Sequence, residues 1–428
     1  MTARAPPAPR HSRAGIVSKL TIGPGPASQR TRRFGIVSKL TIAVFGVLAA
    51  VRTGRADGPA ASPGSLRDED ILGRATPTFR VDSVTTRLTS FNQYGSGYQA
   101  QGGPTPSSPG NERATILEPQ VEIDASQGPR LSHRFWVPVD VVTNASADAI
   151  DVMTSASRHV ESGAIDWAAK YKVDADSDVT VRSGIHLENP FRSWTAGLAW
   201  SRALADGDTV VSASTLEVFD WFDRFDIHGG RHGRTDRTTT TVSAGVTQIL
   251  TPTTIANVNY GITMQRGEMG NTWNSVPLEG NVRGPELLPS ERLRHALVLR
   301  AAQFLPWNGA LHVYYRLYAD DWGTVAHSAQ AELLQRVSPA LTLGALYRIH
   351  RQSGVDFFTT LADPSAPLRT SDSDLAPFDS QTFGGKVVVD APMRGEIRAL
   401  HLELGYERYF RTNDLHIDVF TCATGYRF

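Results

Sequence analysis

The chain has 428 residues, with 43 Lys+Arg against 43 Asp+Glu, a formal net charge of zero, and one cysteine, Cys422. A single thiol excludes an internal disulfide framework and a cysteine-built zinc cluster. A composition that is 40% apolar and 20% charged excludes a fully disordered chain.

The zero is a sum of unlike parts. Residues 1–56 hold ten basic side chains and no acidic one, which leaves 33 basic and 43 acidic groups in the rest. The acidic body argues against nucleic-acid binding. Within the leader, residues 40–51 form an uncharged, mostly apolar stretch preceded by Arg30, Arg32, Arg33 and Lys39. That is the pattern of a Sec-type signal peptide, and Gly54 and Ala56 supply the small residues of a cleavage site after Ala56. A membrane anchor is the competing reading, but the stretch is short for a spanning helix. The octapeptide Gly-Ile-Val-Ser-Lys-Leu-Thr-Ile occurs at 15–22 and again at 35–42, and only the second copy runs into the apolar stretch. Residues 57–76 read as a polar linker rich in Gly, Pro and Ser.

From residue 77 onward the chain alternates apolar and polar residues in segments of about 10–15. Leu311, Val313, Tyr315 and Leu317 share one face, with His312, Tyr314, Arg316 and Tyr318 on the other. Period two is the strand signal. It predicts strands near 79–91, 113–125, 131–143, 164–174, 178–188, 192–204, 208–222, 237–250, 254–266, 290–304, 309–319, 323–337, 340–352, 380–391, 396–410 and 414–428. The count is about 16, with 14 or 18 as alternatives.

Every second connection is a tight turn, such as Ser126-Gln-Gly-Pro-Arg130, Ala205-Asp-Gly-Asp208 and Pro306-Trp-Asn-Gly309. The long connections, near 92–112, 144–163, 223–236, 267–289 and 353–379, all fall on the other parity. A soluble sandwich gives no reason for that asymmetry. A transmembrane antiparallel up-and-down β-barrel does, having short periplasmic turns, long extracellular loops and an even strand number. In the last predicted strand, Phe420, Cys422, Thr424, Tyr426 and Phe428 lie on one face. Tyr426 and the final Phe428 read as a membrane-insertion signal. Trp167, Tyr171, Trp194, Trp200, Tyr260, Tyr315, Tyr347, Tyr406 and Phe410 fall on outward faces, where interfacial aromatic girdles form.

Several segments carry a more specific likeness. They include Phe-Asp-Ile-His-Gly-Gly-Arg-His-Gly-Arg-Thr-Asp-Arg (225–237), Gly-Asn-Thr-Trp-Asn (270–274), Tyr-Ala-Asp-Asp-Trp-Gly (318–323) and Gly-Tyr-Glu-Arg-Tyr-Phe-Arg-Thr-Asn-Asp (405–414). With Val-Asp-Val-Val-Thr-Asn-Ala-Ser (139–146) they resemble an uncharacterised bacterial outer-membrane family, domain of unknown function 3570. The resemblance implies a Gram-negative outer-membrane barrel and supplies no catalytic residues.

Alternation points Glu118, Glu122, Asp124 and Asp140 into the lumen from the second and third strands. Arg294, Arg300, His312, Arg316, Arg348, His350 and Lys386 point inward from strands ten to fourteen. Strands eight apart in a sixteen-strand barrel are opposed, so an acidic wall faces a basic one. That field orients and selects polar solutes in a water-filled pore. Alternatively, these groups pair with each other or with infolded loops and plug the lumen.

His228 and His232 are weak candidates for a metal site, set among Arg and Gly. No Gly-x-Ser-x-Gly, His-Glu-x-x-His, P-loop or Rossmann pattern is present. Asp226, Asp236, Asp320 and Asp321 read as rim charges rather than an active site. The expectation is a non-enzymatic, porin-like channel without a cofactor. A non-conducting scaffold for a periplasmic or surface partner is the alternative, and a rim enzyme the third. Expected partners are outer-membrane lipid and, through the C-terminal strand, the barrel-assembly machinery.

Overall fold

Strands that are apolar on one face and polar on the other can bury the apolar face only against lipid or another layer, and they lose their unpaired edges only by closing on themselves. The computed structural model describes residues 78–428 except 96, 98–113, 143–159, 189, 226–229, 271–273, 281 and 396. The leader, the linker and His228 lie outside the described residues.

In chain order the strands are β1 (Phe79–Gly95), β2 (Ala114–Gln127), β3 (Leu131–Val142), β4 (Val160–Lys172), β5 (Ser177–Leu187), β6 (Phe191–Leu204), β7 (Thr209–Phe225), β8 (Arg231–Thr251) and β9 (Thr254–Gly267). Then follow β10 (Ser275–Leu278), β11 (Val282–Pro285), β12 (Glu291–Leu305), β13 (Gly309–Asp320), β14 (Val325–Arg336), β15 (Leu341–Gln352), β16 (Phe378–Pro392), β17 (Ala399–Arg411) and β18 (Leu415–Arg427). Sixteen of them close an antiparallel barrel in which each strand pairs with its neighbours in sequence, β9 pairs with β12, and β18 returns to β1. The short β10–β11 hairpin stands apart as its own two-stranded sheet.

The seam is in full register: Leu88 faces Cys422 and Phe91 faces Val419. At its upper end Gly95 adopts φ 126°, and a Cβ there would lie 1.9 Å from the carbonyl oxygen of Asp414, so only glycine fits.

Cross-strand partners share a face. One face presents Ile165, Val181, Ile185, Leu198, Val242, Val258, Leu299, Val313, Leu343 and Leu404, all exposed, and Cys422 lies with them. This is the outward, lipid-facing surface. Above and below it, on the same face, lie Tyr260, Tyr347, Tyr406 and Phe420, and Tyr171, Trp200 and Tyr426. The opposite face is mostly polar and lines the lumen, with one apolar cluster of Phe91, Ile116, Leu415 and Ile417.

The predicted strand bounds hold to within a few residues, with two differences. The connection predicted at 223–236 is mostly a continuation of β7 and β8, paired from Asp223–Arg234 to Phe225–Arg231. Apart from Phe225 both faces are polar there, so the period-two signal vanishes although the pairing continues. The connection at 267–289 holds the β10–β11 hairpin, whose four-residue strands are too short to show a period.

Candidate functional site

The lumen wall is built from residues that the register holds on the polar face. Glu118, Glu122 and Asp124 pair across β1 with Thr89, Thr85 and Ser83, and Thr89 is buried on the inner side. Asp140 pairs with Ser162 by backbone, and its side chain is not among those described. On the far side, Arg294 pairs with Asp320, Arg300 with Tyr314, His312 with Ala302 and Arg316 with Val298. Arg348 faces Gln330, His350 faces Ser328, and Lys386 faces Gly344. Asp140 apart, the register puts these positions on the face opposite the exposed apolar one. β2 and β12 stand eight strands apart in the closed order, as do β3 and β13.

The two walls differ in how their charge is balanced. On the β2–β5 side the acids have basic company: Arg134 donates to Asp124 at 2.8 Å and approaches Glu122 at 3.5 Å. Lys170 meets Asp178 at 2.9 Å. The expected acidic wall is therefore mixed, because Arg134 and Lys170 alternate onto the same face as the carboxylates.

On the β12–β16 side, cations are held by neutral groups. Arg348 gives Nε and Nη2 to the amide oxygen of Gln330 at 2.8 and 2.7 Å. Arg300 reaches the amide oxygen of Asn257 at 3.5 Å and lies over the Tyr314 ring. Arg316 lies over Tyr318 at 5.5 Å. His350 contacts Ser328 and Gln352. Two acids are exceptions: Glu332 pairs with Lys386 at 2.6 Å and His312 at 3.5 Å, and Asp320 pairs with Arg292. An amide oxygen satisfies the guanidinium hydrogen bonds without cancelling its charge, so this wall keeps a positive potential.

At the mouth the wall holds a folded cap. Gln352, on the lumen face of β15, donates to the carbonyls of Asp374 and Ala376 at 2.8 and 2.7 Å. Arg411, on the lumen face of β17, has a side chain only 2% exposed and pairs with Asp374. It also donates to the Tyr409 hydroxyl at 2.7 Å and the Ser373 carbonyl at 3.4 Å, and lies over the Phe378 ring. Asn413 donates to the same Ser373 carbonyl. Segment 373–376 of the β15–β16 loop is thereby held against the inner side of the wall.

The rest of that loop packs on the β9–β12 connection through buried Val276, Leu278 and Ala362. Buried Arg369 donates to the carbonyls of Pro285, Pro364 and Ala366. Asn274 donates to the Asp372 carboxylate at 3.1 Å. Burial, and after it the neighbouring Asp374 charge, push the Asp372 carboxyl up to about 6, against the Asp374 N–H, the Asn274 amide and the Arg411 charge, which favour its ionised form.

Asp320 closes the β13–β14 turn. Its Oδ1 accepts the N–H groups of Trp322 and Thr324, and its Oδ2 accepts Arg292 twice and the Tyr318 hydroxyl. Its side chain is fully buried. Asp320 is a structural carboxylate rather than a rim charge, a role that alternation cannot reveal because an isolated Asp-Asp in a turn also fits solvent. Asp321 accepts the Leu293 N–H at 2.9 Å. His232 is exposed on β8. Among the described residues no group of three or more His, Cys, Asp or Glu side chains is placed to hold a metal ion.

Three of the segments singled out in the sequence contact the β15–β16 loop: 270–274 through Asn274 to Asp372, 318–323 through the Trp322 carbonyl to the Asp356 N–H, and 405–414 through Arg411 and Asn413 to Asp374 and Ser373. A family model described as protein of unknown function (DUF3570) matches residues 192–418, more than half of the chain. The chain belongs to the DUF3570 family. The matched span covers β6 through β17 and the first four residues of β18, and so includes the positive wall and the cap.

No curated protein matches this DUF3570 chain. Among solved structures it is similar in outline to a BenF-like porin from Pseudomonas fluorescens Pf-5, at 8% identity and TM-score 0.41 over 82% of this chain and all of that one. It is similar to OccK7 (OpdD) of Pseudomonas aeruginosa at 11% identity and TM-score 0.43, over 82% and 98% of the two chains. The siderophore receptor PirA from Pseudomonas aeruginosa gives 12% identity and TM-score 0.39, over 78% of this chain and 57% of that one.

Proposed function

We propose that this protein is a bacterial outer-membrane channel that passes small polar solutes by diffusion, selected by the charged lumen wall. The observation that carries the reading is the division of faces: a closed sixteen-strand barrel, apolar outside, with an inner face that is mostly polar and charged and is interrupted by the apolar cluster of Phe91, Ile116, Leu415 and Ile417. Barrels of about 8 strands fill their interior with side chains, whereas those of about 16 leave room for water. An inner face of Arg, Lys, Glu and Tyr is what a wetted lumen requires, since burying such charges dry is costly.

The exterior suits an outer membrane, with outer-membrane lipid as its surroundings. The outward aromatics of β18, Phe420 and Tyr426, suit docking by the barrel-assembly machinery. The decisive experiment is single-channel recording in planar bilayers with protein whose folding is verified by heat-modifiable gel mobility. Discrete conductance steps are expected, and correctly folded protein that conducts nothing would refute the channel.

A second reading is a non-conducting barrel that serves as a scaffold or binding surface for a periplasmic or surface partner. The cap favours it, because 373–376 is bound to the wall inside the mouth. The same recordings separate the two.

A further inference from the structure

At the mouth, the lumen face of β7, β8, β12 and β13 brings three arginines to two aspartates. Asp220 accepts Arg237 through Nε at 2.9 Å and Nη2 at 2.8 Å, and Ser193 through its hydroxyl. Asp320 accepts Arg292 and is saturated by Tyr318 and two backbone N–H groups. A carboxylate offers about four lone-pair sites, and Asp320 already receives five donors.

Arg294 is the third arginine. It stands opposite Asp320 on β13 and Thr263 on β9, and no acceptor remains for it among the described residues. Its buried Nε finds no partner among the described residues, while the residue as a whole keeps partial exposure. A guanidinium is planar, always charged and shaped to grip an oxyanion with two parallel bonds. Leaving one of its donors buried and unpaired is costly unless a ligand completes it.

We infer that Arg294 is the contact point of an oxyanion site at the extracellular mouth, taking the carboxylate or phosphate group of an entering solute. The neutral-amide-bound Arg300 and Arg348 continue the positive wall deeper in the lumen, so an anion captured at Arg294 meets further cations rather than paired acids. This rests on the channel reading for its purpose, while oxyanion binding itself needs no conduction.

The test is calorimetric titration of the folded, detergent-solubilised barrel at low ionic strength with inorganic phosphate and, separately, with acetate. Saturable binding of either anion is expected, and binding of neither overturns the inference. Arg294→Gln should weaken that binding about tenfold or more, the value of a charge-assisted contact; unchanged affinity overturns it. Should Arg294→Gln fail to give the heat-modifiable form, Thr263→Glu provides the second arm. It sets a carboxylate beside Arg294, adds a pair instead of removing one, and is expected to abolish anion binding; undiminished binding overturns the site. Binding without conductance would sink the channel and leave the oxyanion site standing. Conductance without binding would sink the site alone.

Discussion

Arg411 on the lumen face of β17 is paired with Asp374 in the β15–β16 loop, so the barrel wall grips its own cap through a guanidinium that is 2% exposed. Removing one member of a buried ion pair strands the other charge and costs about 3–5 kcal/mol. Asp374→Asn should therefore release the cap without unfolding the sixteen-strand ladder. Hydrogen exchange of residues 370–376 should rise by two to three orders of magnitude, on the order of 3–4 kcal/mol of lost protection, while the β13–β15 amides keep theirs. Equal loosening of the strands would show that the pair holds the barrel rather than the cap.

The cap should also respond to pH through Asp372. Its carboxyl is raised to about 6 in the folded protein by burial and then by Asp374. A raised carboxyl binds its proton more tightly folded than unfolded, so its contribution is fully present below about 4, the ordinary Asp range. It is lost as pH rises through about 6. Protection factors for 370–376 should accordingly be higher at pH 5 than at pH 7. Asp372→Asn keeps an oxygen for the Asp374 N–H, and Asn274 can turn its amide to pair with the new one. That variant should be flat across the window; an undiminished pH dependence would assign the titration to another group.

The barrel was legible in the sequence because a lipid-facing wall imposes period two on every strand. Gly309–Asp320 and Thr254–Gly267 match their predicted bounds within a residue. Legibility stops where the bilayer stops. Above it, Phe225 apart, both faces of β7 and β8 are polar, so Asp223 and Arg231 read as loop although they sit in a paired hairpin. The lumen assignments of Arg316 and Arg348 followed from alternation alone. What alternation could not show is which neighbour holds each charge: Gln330 for Arg348, but Asp124 for Arg134. The cap was unreadable for a related reason, since Arg411 and Asp374 meet across a loop with no periodicity to register them.

Asp320 gives a stability prediction that is separate from the cap. It gathers Arg292, Tyr318 and the Trp322 and Thr324 N–H groups into one buried knot, with Arg292 also lying over the Trp322 ring at 4.3 Å. Asp320→Asn keeps the shape but removes the charge that Arg292 requires, at a cost of about 3 kcal/mol or more. The heat-modifiable transition should move to lower temperature, whereas Asp321→Asn, at an exposed carboxylate that accepts the Leu293 N–H, should move it little. Equal shifts would show that the charge on Asp320 is not what the turn depends on.

The charge on the lumen wall predicts ion preference. Arg316 and Arg348 lie on the inner face at the middle of β13 and β15, and Arg348 is held by an amide that leaves its charge uncancelled. Replacing both by Glu reverses the local potential of that wall. In a KCl gradient the reversal potential should swing toward the cation value, and by more than either single substitution produces. Arg351 supplies the control: one residue beyond His350, it faces outward, with its side chain 81% exposed. Arg351→Glu should leave the reversal potential where it was. A shift from Arg351→Glu as large as that from Arg348→Glu would mean that alternation has assigned the faces of β15 wrongly, and an unmoved double variant would mean that ions do not pass this wall.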